Sequence, residues 1–172
     1  GRFYAVDNVL FCREGEHVTL VWYPGGLQNR EYAVPEGVTK IGRSAITNTN
    51  LRSFTLPESL QEIGYVAFDG TYNLTEITIP SGVSEIDLAA FVYCGLQNIY
   101  VEAENPYYTS VNGVLFTKDM SLLHTYPGRK EGSGEYTVPD GVTDVTSTVM
   151  SLSYIRKLNL PASVERLCAA GT

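Results

Sequence analysis

Histidine and cysteine, the residues from which catalytic and metal sites are often built, are scarce in this chain. The 172 residues include two histidines, His17 and His124, and three cysteines, Cys12, Cys94 and Cys168. The cysteines lie far apart without Cys-x-x-Cys or Cys/His ligand spacing, whereas a structural zinc site usually needs four ligands close together. Their odd number excludes a complete set of intramolecular disulfides. We therefore predict no metal and no cofactor, and we interpret the cysteines as small buried hydrophobic residues.

Positive charge and long apolar runs are also scarce. The chain has 12 basic and 19 acidic residues, a net charge of -7 and a pI near 4.8. Binding to nucleic acid requires clustered Lys and Arg, and the longest basic run here is the GRK at 128–130. No window approaches the roughly 18 apolar residues of a membrane span. We predict neither a nucleic-acid partner nor a membrane-spanning segment. The opening GRFYAVDN contains no signal peptide, but a processed start would look the same, so it indicates no compartment.

What the chain does contain is a short internal repeat marked by proline. Pro35, Pro57 and Pro80 are 22 and 23 residues apart, and Pro139 and Pro161 are 22 apart. The same apolar frame surrounds each of them, in YAVPEGVTKIG, FTLPESLQEIG, ITIPSGVSEID, YTVPDGVTDVT and LNLPASVERLC. A truncated copy, LQNIYVEAENP, follows the third unit. A fixed period of this length indicates a stacked repeat architecture.

The pattern within one repeat predicts a short strand followed by a bend. Apolar residues flank a polar one before each proline, which is the period of a half-buried strand, and proline then ends the strand. The next apolar positions are spaced by three, which indicates a bend. Because one such unit cannot close a core alone, stacked units must share one. We predict a mainly β solenoid with one parallel strand per repeat of about 22–23 residues and little helix.

A second, longer period indicates two related inserts. VDNVLF at 6–11 matches VNGVLF at 111–116, and EYAVPEGV at 31–38 matches EYTVPDGV at 135–142. The central Asp-Asn and Asn-Gly dipeptides between apolar runs are typical of β-hairpins. We predict one domain over 1–172, with hairpin inserts at about 4–31 and 105–135 and repeats at about 32–104 and 136–172. Alignment of the inserts places His124 opposite Val21, and each histidine is interpreted as a strand-edge or turn residue.

These residues carry a family resemblance. The pattern in FTLPESLQEIGYVAF and ITIPSGVSEIDLAAF resembles the BspA-type leucine-rich repeats of bacterial surface and secreted proteins, and NPYYTSVNGVLFTKDMSLLHTYP resembles the insert of gut-bacterial members. The resemblance extends from about Tyr4 to Cys168. It implies a leucine-rich-repeat solenoid in an exported or surface-attached protein linked to adhesion. VTSTVMS at 145–151 departs from the pattern, and the last unit stops at LCAAGT, which we interpret as lying at or near the natural C-terminus.

No motif for catalysis accompanies the repeats. The chain lacks a G-x-S-x-G nucleophile elbow and a phosphate-binding G-x-x-x-x-G-K-[ST] loop. We assign Glu62, Glu85 and Glu165 to one repeated, solvent-facing position, which favours solubility over acid–base catalysis. We predict that the protein is not an enzyme, with a hydrolase kept as a remote alternative.

The exposed strand positions are the candidate binding residues. By alternation the outward face includes Thr55, Glu76, Thr78, Asn98, Tyr100 and Asn159, and Tyr93 lies in a nearby loop. The alternative is that Ser, Thr and Asn simply suit an exposed sheet. The chain has 12 tyrosines, and Tyr72, Tyr93, Tyr100, Tyr107 and Tyr108 lie in or near the loops that border the second insert. They suit either an interface or packing of the insert against the repeats.

We predict a non-catalytic extracellular or cell-surface binding or adhesion module for a host or matrix protein or a glycan. The alternative is a structural spacer that displays another domain and has no ligand of its own.

Overall fold

The computed structural model describes residues 1–132, 134–151 and 154–169, and the regular secondary structure in this part of the chain is almost entirely β-strand. Its strands are β1 (Arg2–Val6), β2 (Val9–Glu14), β3 (His17–Trp22), β4 (Glu31–Ala33), β5 (Lys40–Ile41), β6 (Ser53–Thr55), β7 (Glu62–Ile63), β8 (Glu76–Ile79), β9 (Glu85–Ile86), β10 (Asn98–Val101), β11 (Tyr108–Val111), β12 (Val114–Thr117), β13 (Leu122–Thr125), β14 (Glu135–Thr137), β15 (Asp144–Thr146), β16 (Lys157–Asn159) and β17 (Arg166–Cys168). One helical turn, α1 (Thr148–Ser151), interrupts them. No helix in the described ranges is long and apolar enough to cross a membrane.

The predicted solenoid is confirmed. We call 32–104 the first array and 136–169 the second array. The strands before the prolines lie parallel, with β4 paired to β6, β8 to β10 and β14 to β16. Their registers follow the sequence period: Phe54 lies opposite Tyr32, and Ile99 opposite Ile77.

The structure adds a second row of strands that the sequence pattern did not predict. The segment after each proline forms the parallel strands β5, β7 and β9, in which Ile41, Ile63 and Ile86 are in register. Each contains two residues, one of them facing the core, so no alternation can be recognised in the sequence. Each repeat of the first array through Ile86 therefore presents two short parallel strands on two sides of one core.

The two inserts form the predicted hairpins. β1, β2 and β3 are antiparallel, as are β11, β12 and β13. Asp7 and Asn8 in the first hairpin have φ of 49° and 67°, and Asn112 and Gly113 in the second have φ of 51° and 76°. Positive φ at both central residues is the geometry of the type I′ turn that these dipeptides favour. Each insert then joins its array, because β3 pairs parallel with β5 and β13 with β15.

An aromatic ladder runs through the core of the first array. Tyr23, Tyr32, Phe54, Phe68 and Phe91 pack successively with ring centroids 4.9, 5.8, 5.4 and 5.5 Å apart. Such pairs contribute about 0.5–1.5 kcal/mol each beyond the area they bury. Burial raises the pKa of Tyr32 to about 12, so its hydroxyl stays neutral. The ladder links neighbouring repeats.

The second insert is fixed onto the end of the first array. The amide of Ile86 donates to the Tyr108 hydroxyl at 3.0 Å, and the Ile86 carbonyl lies 2.9 Å from His124 Nε2. The Asn105 side chain donates to the carbonyls of Pro80 and Val83 at 2.8 and 3.0 Å. The two arrays are thereby joined through polar contacts of a single insert.

The sequence interpretation of His124 as a strand-edge or turn residue was wrong. His124 lies in β13, between β12 and β15, and is only 2% exposed. Its ring packs edge-on against Tyr108, with centroids 5.7 Å apart. The reason is that the insert docks onto the first array and encloses this ring. His17, the first residue of β3, is exposed beside a turn, as expected.

Candidate binding site

The predicted sheet residues lie in two separate places. Glu76 is opposite Asn98 and Thr78 opposite Tyr100, in the β8–β10 pair. Thr55 on β6 joins Glu76 and Thr78 in a shallow groove of about 300 Å³. Asn159 instead belongs to the β14–β16 pair of the second array. The predicted outward face is therefore divided between the arrays.

Two of these predicted residues are already hydrogen-bonded. Asn98 Oδ1 accepts from Lys130 Nζ at 3.1 Å. Asn159 Nδ2 donates to Glu135 Oε1 at 2.9 Å and to Thr137 Oγ1 at 3.1 Å. Their side chains serve the repeat structure, which leaves Thr55, Glu76, Thr78 and Tyr100 as the exposed members of this set.

The second row of strands carries two ion pairs between neighbouring repeats. Lys40 Nζ lies 2.5 Å from Glu62 Oε1, and Arg166 Nε lies 2.5 Å from Asp144 Oδ1. Hydrogen bonds from Arg166 hold the pKa of Asp144 well below its usual range.

The assignment of Glu165 to the repeat position of Glu62 was wrong. Asp144 occupies that position in the preceding repeat, and the residue in register with Asp144 is Arg166. The error was one residue in the last repeat.

The residues with metal-binding or nucleophilic side chains are dispersed or enclosed in the described part of the chain. No group of three or more His, Cys, Asp or Glu within them is close enough to bind a metal ion. His124 is enclosed, and burial lowers its pKa, so it is a neutral packing residue. Burial likewise raises the pKa of the Cys94 thiol to about 11, whereas a nucleophilic cysteine needs a lowered one.

A concavity with exposed aromatic walls lies where the first array meets the second insert and the second array. We call it the tyrosine cleft. It has a volume of about 280 Å³ and is lined by Tyr72, Leu88, Phe91, Val92, Tyr93, Cys94, Thr125, Tyr126, Gly128, Arg129, Thr148 and Tyr154.

Each wall of the cleft comes from a different element. Tyr72 and Tyr93 lie in the turns that precede β8 and β10, Tyr126 and Arg129 follow β13, and Tyr154 precedes β16. Phe91, Val92, Cys94 and Thr125 are buried and form its floor. The cleft therefore exists only where the two arrays meet.

Backbone contacts hold these elements in place. The amide of Arg129 donates to the carbonyl of Leu96 at 3.0 Å, and that of Gly95 donates to Thr71 at 3.1 Å. A Cβ at Gly95 would collide with the carbonyl of Tyr72, so glycine is required for this close approach. The Tyr126 ring packs on Tyr136 with centroids 4.7 Å apart. These contacts fix the turns of the first array and the segment after β13 in the cleft.

Three tyrosine rings of the cleft face solvent. Tyr72 is 56% exposed, Tyr93 58% and Tyr154 66%. The Arg129 guanidinium lies over the Tyr72 ring, 5.6 Å from its centroid, in a cation–π contact. No carboxylate lines the cleft in the described part of the chain. The surface offered is aromatic with hydroxyl groups and a single cation.

Tyr93 has a backbone conformation that a bulky residue adopts only at a cost. Seven residues after the register-matched Ile41, Ile63 and Ile86 come Asn48, Gly70 and Tyr93, with φ of 53°, 72° and 53°. Asn and Gly suit this left-handed region, whereas other residues pay roughly 1–2 kcal/mol. A tyrosine at this position is not explained by the needs of the turn, which points to a use for its exposed ring.

Sequence reasoning identified only part of this cleft. Tyr93 was among the predicted residues, and Tyr72 was noted only for its place near the second insert. Tyr126, Arg129 and Tyr154 were missed. Of the tyrosines bordering that insert, Tyr108 packs into the structure at 8% exposure, as the packing interpretation expects, whereas Tyr72, Tyr93, Tyr100 and Tyr107 are all at least 44% exposed. The left-handed turn position of Tyr93 was the signal available in the sequence.

Comparison with known proteins identifies the family. The model of the BspA type leucine rich repeat region matches residues 26–122 in six copies, which is more than half of the chain. No sequence among the curated proteins is similar enough to count as a match.

Comparison with solved structures also finds leucine-rich repeat proteins. A leucine rich cell surface protein from Faecalibacterium prausnitzii is 31% identical with a TM-score of 0.67, over 78% of this chain and 36% of that protein. A leucine-rich repeat protein from Eubacterium ventriosum is 28% identical with a TM-score of 0.65, over 78% of this chain and 42% of that protein. The pneumococcal vaccine antigen PcpA, at 18% identity, TM-score 0.58 and 98% and 67% coverage, shares the fold.

This chain spans less than half the length of the first two of these proteins. It belongs to the BspA-type leucine-rich repeat family.

Proposed function

We propose that this chain is a non-catalytic binding module of an extracellular or cell-surface protein and that the tyrosine cleft is its binding site. The observation that supports this most directly is the set of exposed rings of Tyr72, Tyr93 and Tyr154 around one cleft. Tyrosine is enriched at binding sites because it offers a large rigid surface with a polar tip. Exposed apolar surface gathered in a ligand-sized concavity is a common mark of an interaction site.

The sheet face supports the proposal less well. Its groove is lined by small polar and charged side chains such as Thr55, Thr78 and Glu76. Such residues are what an exposed sheet carries in the absence of a ligand. We therefore place binding at the cleft, and Tyr100, the exposed aromatic residue of β10, is not part of the proposed site.

Location at the cell surface is part of the proposal. The similar protein from Faecalibacterium prausnitzii is described as a cell surface protein, and the three similar proteins are named for their repeats, their location or their antigenicity rather than for a reaction. The net charge of -7 is compatible with a secreted domain that binds no nucleic acid.

The experiment is a binding array of matrix proteins and glycans probed with the wild type, Tyr93→Asn and Tyr100→Asn. We expect at least one specific ligand, with binding lost in Tyr93→Asn and retained in Tyr100→Asn. Both substitutions remove one exposed ring, so Tyr100→Asn is the matched control. An array without any specific ligand contradicts the proposal and favours the spacer. Loss of binding only in Tyr100→Asn moves the site to the sheet face.

A further inference from the structure

We infer that the tyrosine cleft binds a neutral saccharide, with one sugar ring seated against the tyrosine rings. This inference rests on the proposed function, since it names the ligand class of the same site. It is carried by the size of the cleft, its charge and the chemistry of its walls.

The size of the cleft favours a small ligand or the end of a chain. Its volume of about 280 Å³ lies just below the roughly 300–1,000 Å³ that small-molecule sites occupy. A folded protein surface would instead bury on the order of 800 Å² per partner and would need a broader face. A single sugar unit at the end of an oligosaccharide is suited to this space.

The charge of the cleft favours a neutral ligand. A cationic ligand would lack a counter-charge, because no carboxylate lines the described part of the cleft. The one cation, Arg129, already lies over the Tyr72 ring, and the chain as a whole carries a charge of -7. A polyanion would be repelled by that net charge at low ionic strength.

The walls match the two-sided chemistry of a sugar ring. One face of a pyranose presents C–H groups, which pack against the electron-rich face of an aromatic ring, while its hydroxyls require hydrogen-bond partners. The exposed rings of Tyr93 and Tyr154 supply such faces. Their hydroxyls and the Arg129 guanidinium supply donors at the rim.

A peptide that binds by strand addition fits less well. Such a peptide pairs its backbone N–H and C=O groups with the free edge of a sheet. The cleft is formed by turns, loops and the first residue of α1, Thr148, with Thr125 as its one strand residue, at the end of β13. The Thr125 hydroxyl is 2.8 Å from His124 Nδ1 and is therefore already engaged.

The test is isothermal titration calorimetry of the full chain with three neutral tetrasaccharides: cellotetraose, maltotetraose and mannotetraose. Trigalacturonate is the negatively charged saccharide for comparison, and a neutral capped tetrapeptide represents a peptide ligand. We expect binding of at least one neutral tetrasaccharide, weakened by about tenfold or more in Tyr93→Asn and Tyr154→Ala and by less than about twofold in Tyr100→Asn. Tyr93→Asn places in this turn the residue type found at Asn48, so its fold is retained.

The possible outcomes separate the two proposals. Tyr93-dependent binding of a protein on the array, without binding of any saccharide, overturns the saccharide inference and leaves the cleft as the site. If trigalacturonate binds more tightly than every neutral saccharide, the inference that the ligand is uncharged is wrong. If the tetrapeptide is the only probe that binds, and Tyr93→Asn weakens its binding, the ligand is a peptide and the saccharide inference is wrong. The absence of any ligand in both experiments overturns both proposals.

Discussion

The first and second hairpin inserts place equivalent residues in different surroundings. Phe3 and Tyr108 lie three residues before Val6 and Val111, which close the equivalent strand pairs. Phe3 is 63% exposed, whereas Tyr108 is 8% exposed. Trp22 is 49% exposed, and its equivalent in the second insert is the nearly buried Thr125.

The difference in the described structure lies in what packs on each insert. The second insert packs on Ile86 of the first array through Tyr108 and His124. The corresponding face of the first insert, which carries Phe3, is exposed in the described structure. One sequence pattern therefore yields a buried or an exposed face according to its neighbour, as expected in a solenoid whose repeats contact only adjacent repeats.

The largest expected difference between the inserts comes from truncating these equivalent aromatic residues. Tyr108→Ala removes a buried ring and leaves the Ile86 amide without its acceptor, so we expect a loss of about 3–5 kcal/mol in the free energy of unfolding. Phe3→Ala should change it by less than about 0.5 kcal/mol. Urea denaturation of both variants measures this, and equal losses would contradict the proposed role of the docking contact.

The pH dependence of stability should also differ between the inserts. Burial lowers the pKa of His124, partly offset by its hydrogen bond to Ile86 and the charge of Asp87, while in the unfolded chain this residue titrates near 6.5. The unfolded state then binds more protons below that pH. The contribution of neutral His124 to stability is therefore fully present above about pH 7. On acidification the free energy of unfolding falls by up to about 1.4 kcal/mol per pH unit, until the pKa of His124 in the folded state is reached.

The histidine variants isolate this effect. The free energy of unfolding, measured by urea denaturation between pH 7.5 and 5, should depend less steeply on pH in His124→Gln than in the wild type. The exposed His17→Gln is the control and should keep the wild-type slope. If the free energy of unfolding depends on pH equally in all three proteins, His124 is protonated equally in the folded and unfolded states.

A smaller effect separates the hydrogen bond of Tyr108 from its packing. Tyr108→Phe keeps the ring but removes the acceptor of the Ile86 amide, so we expect a loss of about 1–2 kcal/mol. Phe3→Tyr, the reciprocal change, adds a hydroxyl in solvent and should be neutral. Thermal unfolding of the pair checks this, and a neutral Tyr108→Phe would assign the whole effect to packing.

The smallest expected effect is at Trp22. Trp22→Thr gives the first insert the residue of the second, and its half-exposed position predicts a change below about 1 kcal/mol. The measurement is again urea denaturation. A loss above about 2 kcal/mol would show that this exposed ring is important to the stability of the first insert.

The sequence predicts the repeats well because each carries its own proline and apolar frame. Pro57 and Pro80 give the period, and the turn dipeptides Asp7-Asn8 and Asn112-Gly113 give the hairpins. The second row of strands was missed because two residues show no alternation. The burial of His124 was missed because it depends on docking between an insert and another array.

The candidate site was predictable only at Tyr93. Tyr154 is 61 residues away in the chain and occupies no repeat position equivalent to it, so no period relates them. They line one cleft because the second insert fixes the position of the second array relative to the first. Sites formed between repeat units in this way depend on tertiary packing, which a local pattern does not encode.

The measurement that tests the central claim most directly is the affinity of wild type, Tyr93→Asn and Tyr100→Asn for one ligand found on the array. The account predicts that Tyr93→Asn weakens binding by about tenfold or more while its thermal stability is unchanged or higher, because the left-handed turn favours Asn. Tyr100→Asn should bind as the wild type does. Undiminished binding by a folded Tyr93→Asn would contradict the assignment of the tyrosine cleft as the binding site.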